Sequence, residues 1–114
     1  MILLTDWSRR AIGAWIGQPS DASIDTDQLT MTDLRPVSFH SRKLHGAELN
    51  YSPYNGELLA LIEGLRVFRP YLIGHPVLLF TDQKALQWLV DQQTLSYRQY
   101  RWLDTLLEYD LRIQ

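Results

Sequence analysis

Leu58, Leu61, Ile62, Leu65 and Phe68 recur at helical spacing, and this run lies between segments that read as short strands. Apolar residues three and four apart line one face of a helix. Ser52-Pro53 opens the helix with a hydroxyl N-cap and a proline at the first helical position. Pro70 stops it, because proline has no N–H for the next helical hydrogen bond. Before the helix come three runs with strand character, at residues 2–6, 12–16 and 36–40. After it, Gly74 and Pro76 punctuate a turn, and residues 77–81 are apolar enough for a strand covered on both faces. A strand, a crossover helix and a second strand leave the two strands parallel. The expectation is an α/β domain: an antiparallel three-strand meander plus a parallel strand or strands, in one mixed sheet with packed helices.

The remaining segments fit that plan. Gly13 and Ala14 suit a strand closely approached by its neighbours. Residues 18–34 form a polar connection rich in Asp, Ser and Thr, with Pro19 near its start. Residues 84–90 read as a short helix. Ser96 caps another, with Trp102, Leu103, Leu106 and Leu107 at helical spacing, and residues 111–114 begin to look extended. Trp15, Trp88 and Trp102 are expected in the core, and His40, His45 and His75 in surface or turn positions, without metal-ligand spacing.

Composition narrows the class. The chain has 114 residues, 46% of them hydrophobic and 21% charged, which supports one packed domain and argues against wholesale disorder. No apolar run approaches the roughly 18 residues of a membrane span. Met1-Ile2-Leu3-Leu4 is too short for a signal-peptide core, and Arg9 and Arg10 lie on its wrong side. The absence of cysteine excludes disulfide scaffolds, thiolate metal sites and thiol nucleophiles, and fits an intracellular protein. A net charge of −2 does not announce a nucleic-acid binder. However, Asp21, Asp25, Asp27 and Asp33 all lie in the 18–34 connection, which has no Lys or Arg, so the rest of the chain is mildly basic.

Asp6 follows Ile2-Leu3-Leu4-Thr5, and Asp82 follows Leu78-Leu79-Phe80-Thr81. Each ends an expected buried strand in a Thr-Asp pair, and sites in open sheets form at the carboxyl ends of parallel strands. Glu57, expected in the first turn of the intervening helix, shares a stripe with Leu61, Gly64 and Phe68. An acid on an apolar stripe is costly unless it is paired or binds a metal. Three convergent carboxylates suggest Mg²⁺ or Mn²⁺, and two such ions suit a phosphodiester displacement. The same acids also have structural uses. Asp6 and Asp82 can cap turns, and Glu57 can complement a helix N-terminus.

Several segments resemble the RNase H domain of reverse transcriptases from gypsy-type LTR retrotransposons. They are Thr5-Asp6-Trp7-Ser8 followed by Ile12-Gly13-Ala14, Pro36-Val37-Ser38-Phe39-His40-Ser41-Arg42-Lys43-Leu44, and Glu48-Leu49-Asn50-Tyr51-Ser52 with Gly56-Glu57-Leu58-Leu59-Ala60. The series continues through Phe68-Arg69-Pro70-Tyr71-Leu72-Ile73-Gly74, Thr81-Asp82-Gln83-Lys84-Ala85-Leu86, and Arg101-Trp102-Leu103 to Glu108-Tyr109-Asp110. The resemblance implies a ribonuclease H-like fold, the RNA–DNA hybrid as substrate, and a polymerase domain as neighbour in a polyprotein. It also implies two Mg²⁺ or Mn²⁺ ions held by Asp6, Glu57 and Asp82. One would activate the attacking water and the other stabilise the leaving 3′ oxygen. The retroelement particle, cytoplasmic or nuclear, is the implied location.

The family pattern runs past Tyr109-Asp110 into a fifth strand and a last helix with a fourth aspartate. Residues 1–114 are therefore expected to form an RNase H-like domain lacking that helix and most of that strand, with apolar sheet surface left open. A non-catalytic module packed against a polymerase domain, or an inactive retroelement relic, are the alternatives. Trp7 stands where the family has a small residue and is expected to crowd Asp6. Ser8, Arg9, Arg42, Lys43, Arg98 and Arg101 are weaker candidates for contacts to a nucleic-acid backbone. For these residues a solvated turn, a structural role and an ordinary helix surface are the competing readings.

Overall fold

Leu3, Ile12, Ala14 and Ile16 are almost fully buried, and the long apolar helix of residues 53–67 packs on them. The computed structural model describes residues 1–19, 34–80 and 83–113. Its elements are β1 (Ile2–Trp7), β2 (Ala11–Pro19), β3 (Leu34–Lys43), a 3₁₀ helix (Gly46–Asn50), α1 (Pro53–Val67), α2 (Arg69–Leu72), β4 (Pro76–Phe80), α3 (Gln83–Val90), α4 (Tyr97–Leu107) and β5 (Asp110–Ile113). The sheet runs β3-β2-β1-β4-β5. β1 pairs antiparallel with β2, and β2 with β3. β1 with β4 and β4 with β5 are parallel. This is the expected mixed sheet, and the short extended segment near residue 111 is its fifth strand.

Local chemistry sets the helix boundaries. Ser52 accepts a hydrogen bond from the Asn55 N–H, and Pro53 occupies the first turn of α1. Ser96 and Gln99 form a reciprocal capping box at the start of α4. Pro70 behaves differently from expectation. α1 closes at Val67 with Phe68 as its C-cap, and Pro70 falls in the first turn of the short α2, where its missing N–H costs nothing.

The sheet is covered unevenly. α1 lies on β1 and β2 so closely that a Cβ on Gly64 would meet the Ala14 Cβ at 2.9 Å. α3 and α4 pack beside α1. The expectation that residues 77–81 would be covered on both faces is corrected here. Val77 and Leu79 are buried, whereas Leu78 and Phe80 are only half-buried. Side chains alternate across a strand, and the described helices gather on one face. Trp15 follows the same rule: it is half-buried on the open face, beside Phe39, rather than in the core. Trp102 is buried and Trp88 half-buried.

Candidate active site

Alternation along β1 decides where its acid points. Thr5 faces α1, since a Cβ on Gly64 would stand 3.6 Å from its Cγ2. Asp6 therefore faces the other side, where it is exposed and lines an open depression of about 350 Å³ with Ser8, Gly13, Trp15, Phe39 and Ser41. Its register partner on β2 is Gly13, which leaves the space beside the carboxylate open. In the parallel pair, Leu4 stands opposite Phe80. Asp82, two residues after Phe80, and Thr81 lie outside the described residues.

Glu57 comes from the helix side. It is the fifth residue of α1, hence in the second turn and not the first, and no acid occupies that first turn. A role in complementing the helix N-terminus therefore loses its geometric basis, because that effect fades beyond the first turn. Leu61, Gly64 and Phe68 on its stripe are buried, and Glu57 itself is half-buried with Oε2 shut off from solvent. The residue before it, Gly56, lies against Trp7, the last residue of β1, so Glu57 stands near that end of β1 but on the helix-covered face, whereas Asp6 points to the opposite face.

Trp7 does not occupy the depression beside Asp6. Its indole turns the other way and lies on Gly56, where a Cβ would stand 2.0 Å from Nε1. The expected crowding is relieved by that glycine. The buried Trp7 Nε1 has no hydrogen-bond partner among the described residues.

The weaker candidates separate by geometry. Ser8 holds the β1–β2 turn: its Oγ donates to the Ala11 carbonyl at 3.2 Å and accepts from the Ala11 N–H at 3.1 Å. Arg9, at the tip of that turn, is exposed. Arg42 is engaged within the protein. Nη1 and Nη2 donate to the two Glu48 oxygens at 2.8 and 2.9 Å, and Nε to Glu63 Oε1 at 2.9 Å. The hydrogen-bonded Arg42 guanidinium holds the Glu48 carboxyl below its usual 4.5, outweighing the opposing effect of burial, and the Arg42 pKa is raised in turn, chiefly by Glu48. His40 joins this group, with Nε2 at 3.5 Å from Glu63 Oε1. Lys43, next along β3, is exposed. Arg98 and Arg101 lie on α4. The sequence offered no direct sign of Glu63 as the centre of this cluster. An (i, i+2) pair of basic residues on β3 opposite a helix acid was the available signal.

Among the described residues, no three His, Asp or Glu side chains stand close enough to hold a metal, and Asp82 is not among those residues. No helix of the described residues is long and apolar enough to cross a membrane.

A β-meander joined through a crossover helix to parallel strands, with acids at the end of β1 and on α1, defines the ribonuclease H-like class. Residues 1–109 match the family described as the RNase H-like domain found in reverse transcriptase, and the chain belongs to that family. The retrovirus-related Pol polyprotein from transposon 297 of Drosophila melanogaster is 35% identical over 112 residues, 98% of this chain and 9% of that protein. The corresponding polyprotein from transposon opus, also of D. melanogaster, is 31% identical over 97% of this chain and 10% of its own length. The Tf2-3 transposon polyprotein of Schizosaccharomyces pombe (strain 972 / ATCC 24843) is 30% identical over 99% of this chain and 8% of its own. The chain thus spans about a tenth of the length of these relatives. They are compatible with the narrower gypsy-type resemblance. Among solved structures, the foamy viral protease-reverse transcriptase in complex with RNA/DNA hybrid superposes with a TM-score of 0.66. It shares 18% identity over 98% of this chain and 14% of its own. The same enzyme in complex with dsDNA also gives 0.66, at 16% identity over 99% of this chain and 22% of its own. At these identities the likeness is one of fold.

Proposed function

We propose that this domain hydrolyses the RNA strand of RNA–DNA hybrids during retrotransposon reverse transcription, using Mg²⁺ or Mn²⁺, within a polyprotein that also carries the polymerase. The observation that carries this reading is the parallel pairing of β1 with β4. In the sequence Asp6 comes two residues after Leu4 and Asp82 two residues after its partner Phe80, and half-buried Glu57 approaches the end of β1 from the helix side, next to the Gly56 on which Trp7 rests. The family of this chain, and the hybrid bound to one foamy viral structure, support the choice of substrate.

The donor set fits a hard divalent cation, because it is carboxylate oxygen throughout and the chain has no thiol. Divalent ions bound there would supply positive charge to stabilise the phosphodiester oxygens during hydrolysis. Asp6, Glu57 and Asp82 would hold them. Glu57 works from a partly buried position, where charge interactions are stronger than in bulk water. Asp6 faces an open depression, which leaves room for a scissile phosphate, and Gly13 opposite keeps that approach clear. Exposed Arg9 and Lys43 are available to the nucleic-acid backbone, and the hybrid is selected by its shape and 2′-hydroxyls. Arg42 and Ser8 contribute structure to that surface rather than free contacts. The proposed setting is the retroelement particle inside the cell.

The test is cleavage of an end-labelled RNA–DNA hybrid in Mg²⁺ or Mn²⁺, beside Asp82→Asn and a parallel binding assay without metal. The reading expects RNA cut to 3′-hydroxyl ends by the wild type and a loss of at least about a hundredfold in the variant. A chain that binds the hybrid and leaves the RNA intact is a non-catalytic module, and a folded chain that does neither is a relic.

A further inference from the structure

α1 and α4 enclose a second concavity of about 200 Å³, lined not by Asp6 or Glu57 but by Arg66 of α1 and by Tyr97, Arg98, Arg101 and Trp102 of α4. Three of these five residues are arginines and none is acidic. None of the three makes an ion pair among the described residues. Glu63, one turn before Arg66, is taken up by Arg42 and His40. Asp104, one turn after Arg101, forms no salt bridge with it. A chain with a net charge of −2 thus gathers three uncompensated positive charges around one small cavity.

Aromatic rings hold two of these cations, Arg98 and Arg101, in place. The Arg98 guanidinium carbon lies 4.3 Å from the Tyr51 ring centroid and 5.3 Å from that of Trp102. Its Nε is buried with no acceptor among the described residues. The Arg101 guanidinium lies 5.8 Å from the centroid of Tyr97, whose side chain is 78% exposed. Cations over aromatic faces are attracted by the ring quadrupole, so the guanidinium groups are oriented before any ligand arrives. A planar guanidinium matches two oxygens of a phosphate at once.

We propose that this pocket is a second nucleic-acid contact, where Arg66, Arg98 and Arg101 seat a backbone phosphodiester away from the cleavage site. This rests on the hybrid-binding reading above and adds a separate anchor that fixes the duplex relative to Asp6 and Glu57. The charge of the pocket, set against an otherwise acidic chain, selects a polyanion. Its oriented forks select phosphate.

The experiment is anisotropy of a labelled RNA–DNA hybrid without divalent ions, between about 50 and 200 mM KCl, where each phosphate contact adds about 0.9 to the salt slope. Arg66→Gln/Arg101→Gln is compared with Arg35→Gln/Arg112→Gln, which removes the same charge from exposed strand positions. Arg98 is left intact because it packs between Tyr51 and Trp102. The expected result is a slope shallower by roughly 1–2 and binding roughly three- to tenfold weaker for the pocket variant, with a smaller change in the control. Binding by the wild type with both variants equally affected overturns the pocket and leaves the hybrid reading standing. A wild-type chain that binds no hybrid overturns both.

Discussion

Gly56 carries the Trp7 indole at a position where any side chain would collide. The pair ties the end of β1 to the start of α1, the two elements that bear Asp6 and Glu57. Gly56→Ala would force the ring to move and is expected to cost about 1–3 kcal/mol by overpacking, read from urea denaturation. Trp7→Ala in the same chain should recover part of that loss, since the clash is with the ring alone. If Gly56→Ala is neutral, this packing does not set the strand end. Glu48 supplies a pH signature. Its carboxyl titrates lower in the folded chain than its usual 4.5, chiefly because it accepts hydrogen bonds from Arg42. A depressed folded-state pKa stabilises above the unfolded value, and that stability is lost as pH falls through the folded value. Wild type should therefore exceed Glu48→Gln in stability at pH 7, with the gap closing below about pH 4.5. A gap that does not change with pH contradicts the assignment. At this scale the sequence was informative about identity and less so about direction. Asp6 and Glu57 stood out as acids ending or interrupting apolar runs, whereas Trp7 turning onto Gly56 depended on a contact between residues 49 positions apart.

The elements show which patterns carry length and which do not. Helix starts were legible because Ser52-Pro53 and Ser96 cap by local hydrogen bonds, which sequence spacing alone specifies. Ser96→Ala should cost roughly 1 kcal/mol, measured as a thermal or urea shift, since the box with Gln99 loses one side. Strand lengths were less legible. β2 reaches Pro19, and β3 runs from Leu34 to Lys43, well beyond residues 12–16 and 36–40. Their ends mix exposed polar residues such as Gln18, Arg35, Ser41 and Lys43 with Gly17, Pro19 and Leu34, and are paired by backbone groups that leave no regular apolar alternation. Past α4, the Tyr109 hydroxyl donates to the Leu65 carbonyl at 2.9 Å and accepts from Arg69 Nη1 at 3.2 Å, while Arg69 also pairs with Glu108. Tyr109→Phe leaves that carbonyl without its donor and should destabilise by about 0.5–1.5 kcal/mol. No change in denaturation midpoint would show that water replaces the hydroxyl.

In the whole molecule, topology accounts for the order of the strands and for the sheet face that the described helices leave open. The order βββαβ forced β1 and β4 parallel through one crossover helix, and that single rule set Leu4 beside Phe80, the residues that come two before Asp6 and two before Asp82 in the sequence. The class of fold was therefore readable from element order. The coverage of β4 was not, because an apolar run reads the same whether one face or both are packed, and Leu78 and Phe80 lie on the face away from the helices. The central claim is that Asp6, Glu57 and Asp82 act as one cation-holding group. Its most direct measurement is a Mn²⁺ titration of the chain followed by electron paramagnetic resonance, with Asp6→Asn, Glu57→Gln and Asp82→Asn beside the wild type. The account predicts saturable Mn²⁺ binding that each single substitution weakens by at least about tenfold, because the three carboxylates share the ions. Equal Mn²⁺ binding by the wild type and all three folded variants would contradict it.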